Sequence, residues 1–481
     1  MKILYAASEG APFIKTGGLG DVAEALPLEL CKIDGNEIVV FLPFYKSVKE
    51  NDKYDFEFVT SFEMPLAWRN LYCGLYKYRA KNKRKAVTYY FIDNEYYFCR
   101  NSCYGHIDDG EIFAYFSKAV LEALQYIDFV PDIIHCNDWQ TAYIPLFYKE
   151  FYSKIEKLSN IKTIFTIHNI EYQGKADNSF LSEVLGVGEE WRGVVTFGDC
   201  VNAMKSAVVL CDKLTTVSPT YSCEILYAYF AHGLENILSE NRYKLSGIVN
   251  GINTDVFNPK TDKNLYMNYN SVDLKGKTED KLFLQQQLGL EVNADIPVFA
   301  IISRLVAHKG IDLVEKIMNE LSRHRIQLII LGTGDAQFED TFKYYDYVCH
   351  DKISANIKFD GKLASQVYAG ADFLLMPSKS EPCGLSQMIA MRYGTIPIVR
   401  ETGGLFDTVL PLNTETLEGY GFTFKTYDAN DLLDAINRAE TFYYNKGKRE
   451  KVIKKLLRLN LDWKQSAQKY MELYESTGKE Y

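Results

Sequence analysis

The chain has 481 residues, 47% hydrophobic and 24% charged, a balance that excludes disordered and fibrous proteins. At roughly 100–200 residues per domain it exceeds one ordinary hydrophobic core, so at least two domains are expected. A net charge of −9 excludes nucleic acid as the main partner, because a phosphate backbone needs a basic face, although a local basic pocket for a small phosphate stays compatible with it.

Met1-Lys2 runs directly into ILYAASEG, which reads as a first strand over residues 3–7. This start is neither a charged leader with an apolar stretch behind it nor a transit segment. No run of 18 apolar residues follows, so the expected setting is cytoplasmic, with no membrane partner. Short β-branched or aromatic runs recur at 37–42, 87–92, 133–136, 163–167 and 213–217, with helical patterns such as 22–31 and 113–127 between them. That alternation predicts right-handed βαβ units and a parallel sheet covered by helices. A second series begins near 245, with strands expected at 245–249, 297–302, 326–331, 356–359, 372–376 and 396–399. The expected organisation is two doubly wound α/β domains, 1–245 and 246–455, and a C-terminal helix within 456–481 that returns to the first. Helical periodicity over 451–474 supports that last element. Ten cysteines without a CxxC pair read as reduced thiols. The 35 Tyr and 28 Phe fit either sugar-stacking platforms or a general compositional bias.

Several loops carry residue types suited to chemistry. After the first strand comes Lys15-Thr16-Gly17-Gly18-Leu19-Gly20-Asp21, opening a helix. Glycines let a ligand approach the backbone, and a helix start offers N–H groups to anionic or hydroxyl oxygen; a plain tight turn is the alternative. The pattern is neither GxGxxG nor a P-loop. In the second half, Ser303-Arg304-Leu305-Val306-Ala307-His308-Lys309 sets two cations five residues apart, a candidate diphosphate clamp. Gly332-Thr333-Gly334-Asp335 is either a nucleotide-approach turn or an ordinary βα turn. The most informative segment is Ser378-Lys379-Ser380-Glu381-Pro382-Cys383-Gly384-Leu385, where Pro-Cys-Gly is expected to start a helix. There Glu381 would lie beside the N–H groups of Gly384 and Leu385, suited to sugar hydroxyls or developing positive charge. His135-Cys136-Asn137-Asp138 and Ile167-His168-Asn169 close two strands, which makes Asp138 and His168 candidates for orienting a substrate or moving a proton. The stretch TGGLGD at 16–21 is echoed by TGGLFD at 402–407.

These segments, with TIHNIEYQG, TTVSPTY and GIVNGINTDVFNP, resemble the bacterial glycogen synthase and plant starch synthase family over nearly the whole chain. KTGGLGD and EPCGL are the most specific of them. The resemblance implies a glycosyltransferase-B fold, two Rossmann-like doubly wound domains facing a cleft, and ADP-glucose and an α-1,4-glucan as partners. It implies that Lys15, Thr16, Gly17, Gly18, Arg304, Lys309, Gly334, Cys383, Gly384, Leu385 and Glu381 bind the sugar nucleotide. Asp21, Asp138 and His168 would lie around donor glucose and acceptor, and Phe359 would pack on adenine. Many relatives of that fold carry a second Glu eight positions after the first; here it is Ile389.

The reaction this implies is transfer of glucose to the glucan's non-reducing 4-hydroxyl with retention, without a cofactor or metal, Arg304 and Lys309 neutralising the departing diphosphate. A retaining hydrolase would instead need two carboxylates about 5–5.5 Å apart, and Glu381 has no evident second carboxylate. The alternatives are a UDP-glucose or small-acceptor transferase, a phosphorylase carrying pyridoxal phosphate, and a catalytically silent binding module.

Overall fold

The structure, a computed structural model, describes residues 1–80 and 86–477. The chain divides into two compact units, Met1–Asn250 with Trp463–Tyr481, and Gly251–Asp462. The first unit holds β1 (Lys2–Ala6), β2 (Glu37–Pro43), β3 (Glu57–Leu66), β4 (Arg69–Arg79), β5 (Thr88–Asp93), β6 (Ile133–Asn137) and β7 (Lys162–Ile167). It continues with β8 (Lys175–Ala176), β9 (Thr196–Phe197), β10 (Cys200–Asn202), β11 (Lys213–Thr216) and β12 (Leu245–Gly247). A nine-stranded sheet runs β12-β11-β7-β6-β1-β2-β5-β4-β3, and β8, β10 and β9 form a small separate sheet. From β12 to β5 the pairs are parallel. Apolar runs such as Ile3-Leu4-Tyr5-Ala6 are buried throughout, because helices cover both faces of a parallel sheet.

Three sequence expectations change. β12, assigned above to the second series, is hydrogen-bonded to β11 and closes the first sheet. The far edge is an antiparallel hairpin, β3 and β4, turning at Ala67 with φ of +51°; neither Asn-Gly nor Asp-Gly marks that turn, so nothing local announced it. The helical pattern at 451–474 divides into two helices. Lys446–Leu456 buries Val452, Ile453 and Leu456 in the second unit, and Lys464–Thr477 buries Tyr470, Met471 and Tyr474 in the first. Between them Leu461 leaves helical geometry and accepts the Ile252 N–H at 2.8 Å.

The second unit holds β13 (Val298–Ile302), β14 (Gln327–Leu331), β15 (Ile353–Asn356), β16 (Phe373–Met376), β17 (Ile396–Arg400) and β18 (Phe422–Phe424). They form one parallel sheet, β15-β14-β13-β16-β17-β18. β15 begins three residues before the expected strand at 356–359, because Ile353 and Ser354 supply its buried positions. No helix among the described residues is long and apolar enough to cross a membrane.

Each sheet reverses its winding at one place, between β1 and β6 in the first and between β13 and β16 in the second. In open α/β sheets the loops after such strands flank a crevice at the carboxyl edge, where ligands bind.

Candidate active site

In the first unit the candidate residues follow β1, β6 and β7, which are neighbours in the sheet. β1 leads to Glu9, whose side chain turns back under the glycine loop and is 2% exposed. Its carboxylate accepts the Thr16 N–H at 2.6 Å, the Thr16 hydroxyl at 2.5 Å, the Gly17 N–H at 3.2 Å and the Gly20 N–H at 3.0 Å. This corrects the expectation that the loop offers its amides to a ligand. Those of Thr16, Gly17 and Gly20 are already taken by Glu9; Gly18 and Leu19, first in helix Gly18–Lys32, have N–H groups without an intrahelical acceptor. Lys15 bridges the loop to Asp21, Nζ to Oδ1 at 2.8 Å.

Asp138 follows β6 directly at φ +56°, a left-handed conformation that strains a residue with a Cβ. Its Oδ1 accepts the N–H groups of His168 at 2.7 Å and Asn169 at 3.2 Å, which ties the ends of β6 and β7 together. Burial, reinforced by the Glu9 charge, pushes its carboxyl up to about 7 despite those two bonds. His168 Nε2 lies 2.9 Å from Asn137 Oδ1, and burial drives its ring down to about 3. Beneath them His135 is buried, between the hydroxyls of Tyr474 at 2.8 Å and Thr166 at 2.6 Å. The helix 464–477 thus braces the floor of this site.

In the second unit the candidates follow β13, β14, β15 and β16. Lys309 closes a short turn, Ala307–Lys309, and its Nζ spans both oxygens of Glu381, at 2.9 and 2.7 Å. The Ser378 hydroxyl adds a third bond to Glu381, at 3.0 Å. This pair joins the two strands, β13 and β16, that flank the reversal. Glu381 is 6% exposed, whereas Arg304 is exposed beside His308, 3.4 Å away. Phe359 is 95% exposed beyond β15.

One expectation about this half fails. The helix after β16 begins at Ser386, not at Pro382, and Glu381 does not cap it. The reason is Gly384 at φ +72°: it turns the chain left-handed, and Gln387 reaches back to the carbonyls of Cys383 and Gly384, both at 3.0 Å. Cys383 is buried within that turn; Leu385 is the residue preceding the helix. At Gly334 a Cβ would lie 2.1 Å from the Leu305 carbonyl oxygen, so packing by itself requires glycine there. Ile389 is buried apolar filling.

The sequence reading missed Glu9 and Asn137. A carboxylate consumed by backbone amides leaves no spacing pattern, and the one available signal for Glu9 was a charged residue three positions after a strand whose apolar run is buried. Asn250, three residues after β12, was also passed over, and its buried Oδ1 has no hydrogen-bond partner among the described residues.

Comparison with known proteins identifies the family and the fold. Residues 2–240 match the family model for the starch synthase catalytic domain, and residues 286–456 that for glycosyl transferases group 1. Glycogen synthase of Clostridium acetobutylicum is 48% identical over 99% of this chain and 100% of its own length. That of Streptococcus mutans is 46% identical, covering 99% of each. The catalytic domain of starch synthase IV from Arabidopsis thaliana, solved bound to ADP and acarbose, superposes with a TM-score of 0.91 at 34% identity, covering 99% of both chains. Sucrose-phosphate synthase of Thermosynechococcus elongatus, 19% identical, covers 99% of this chain and 98% of its own at a TM-score of 0.60 and shares the fold. Two doubly wound units, each with its candidate residues at the reversal of its own sheet, and full-length likeness to these enzymes place the chain in the glycogen synthase and starch synthase family of glycosyltransferases, with the glycosyltransferase-B fold.

Proposed function

We propose that the chain transfers glucose from ADP-glucose to the 4-hydroxyl at the non-reducing end of an α-1,4-glucan, with retention of the α configuration. The observation that carries this reading is the Lys309–Glu381 pair, a cation and a carboxylate locked together between the loops after β13 and β16. ADP and acarbose in the Arabidopsis relative support the same pair of ligand classes.

On this reading Arg304 and Lys309 take the charge that grows on the diphosphate as the bond from C1 to the β-phosphate oxygen breaks. Charge-assisted bonds of this kind are worth roughly 1.5–3 kcal/mol each. Glu381 faces the positive charge developing at C1 and forms no bond to it. The acceptor hydroxyl attacks C1 from the side the diphosphate leaves, and its proton passes to the departing phosphate oxygen. Lys15 and Gly18 bind the sugar nucleotide from the first unit, and Asp21, Asp138 and His168 surround the sugars. Phe359 offers an exposed ring for adenine.

The test is incubation with ADP-glucose or UDP-glucose and glycogen, following nucleotide release and polymer growth. Faster growth with ADP-glucose and α-linked product are expected, and EDTA should leave the rate unchanged. Preference for UDP-glucose would overturn the donor assignment. A glucosyl adduct on Glu381, detected by mass spectrometry of the trapped enzyme, would overturn the mechanism.

A further inference from the structure

Asn137, the last residue of β6, is fully buried and makes four side-chain hydrogen bonds. Its amide nitrogen donates to the carbonyls of Ala6 at 3.0 Å and His135 at 3.3 Å. Its oxygen meets the Tyr5 hydroxyl at 2.8 Å and His168 Nε2 at 2.9 Å. The opposite amide orientation would set the oxygen against two carbonyl oxygens that have no hydrogen to give. The orientation is therefore fixed by the backbone, and Oδ1 is an acceptor on the side facing His168.

A neutral imidazole carries one proton, and the partner of one nitrogen decides where it sits. We infer that Asn137 is a positioning residue that holds His168 as the Nε2–H tautomer, so that Nδ1 presents a lone pair and meets a hydroxyl of the transferred sugar as an acceptor only. Burial of the ring favours the neutral form, in agreement with this. Nδ1 has no hydrogen-bond partner among the described residues, and His168 is partly exposed, so the nitrogen is open to a ligand. The backbone N–H of His168 itself is committed to Asp138 at 2.7 Å. The sugar half of the inference rests on the proposed function; the tautomer half does not.

The experiment is nitrogen-15 NMR of histidine-labelled protein without substrate, with His168 assigned by the spectrum of a His168→Gln variant, alongside donor kinetics. Between about pH 5 and 8, Nε2 should resonate as a protonated nitrogen and Nδ1 as a bare one. A proton on Nδ1, or on both nitrogens, overturns the inference, and the assigned native spectrum decides it whether or not an Asn137 variant folds. In Asn137→Ala, Nδ1–H signal should appear, and the KM for the sugar nucleotide should rise about tenfold with a smaller change in kcat, the size expected for one hydrogen bond. Tyr5→Phe, which removes the other donor to Oδ1, should keep the native tautomer. An unchanged tautomer in Asn137→Ala overturns the role of Asn137. A shifted tautomer with unchanged donor KM overturns the sugar contact while leaving the lock standing.

Discussion

Residues 16–21 and 402–407 differ at one position of six, yet the two glycine loops do different jobs. In the first, Lys15, Thr16, Gly17 and Gly18 are exposed, and a carboxylate from beneath, Glu9, gathers the amides of Thr16, Gly17 and Gly20. In the second, Thr402, Gly403, Gly404 and Leu405 are buried. There the Gly404 N–H donates to the carbonyls of Glu381 at 3.0 Å and Pro382 at 3.2 Å, so the loop props up the segment that carries the candidate carboxylate. A Cβ on Gly404 would lie 2.2 Å from the Cys383 carbonyl oxygen, whereas one on Gly17 would meet only Glu9 Oε1, at 3.7 Å. The same letters thus make a solvent-exposed turn in one unit and a buried scaffold in the other. What decides between them is the neighbour that tertiary structure delivers.

The comparison breaks first if the segment above the second loop is dispensable. Glu381→Ala removes the partner of Lys309 and should lower kcat on the order of 100- to 1000-fold, the cost of deleting one preorganised charge, with the protein still folded by circular dichroism. A loss under tenfold would mean that the scaffold supports nothing catalytic. Gly404→Ala should come next, forcing apart two backbones and destabilising the fold by about 1–3 kcal/mol, read as a lower denaturant midpoint. Gly17→Ala is its counterpart. Gly17 sits at φ −150°, extended backbone open to any residue, so stability should stay within about 0.5 kcal/mol while the KM for the sugar nucleotide rises. Equal destabilisation by the two alanines would erase the distinction drawn here.

How much of this was legible in the sequence follows the same line. The strand–loop–helix rhythm, both glycine loops, the Arg304–Lys309 spacing and Glu381 are local, and each lies after the strand that its apolar run predicts. Glu9 and Asn137 were not legible, because their partners are backbone groups of other segments: Asn137 bonds Ala6, 131 positions away. The pairing of Lys309 with Glu381, 72 positions apart, was likewise invisible, although both residues were singled out. The β3–β4 hairpin escaped because its turn carries Ala67 where a glycine or asparagine would have advertised the left-handed φ.

The smallest effect expected tests whether the buried acid of the first loop is felt at the neighbouring strand end. The Asp138 carboxyl, ordinarily near 3.8, is pushed up to about 7, first by burial and then by Glu9. Between about pH 4 and 7 the folded protein therefore holds a proton that the unfolded chain has released, and stability must fall as pH rises through that window. Asp138→Asn keeps an amide oxygen for the His168 and Asn169 N–H groups and cannot titrate. Native stability measured against this variant should accordingly decline from pH 4 to 7 and level off above it, modestly, because Asp138 is partly open to water. In a Glu9→Gln background the raising charge is gone, so the decline should end at a lower pH. Urea midpoints that stay parallel for the native protein and Asp138→Asn across the window would show that the strained residue after β6 keeps its ordinary ionisation, and that the acid under the first loop acts on its own amides alone.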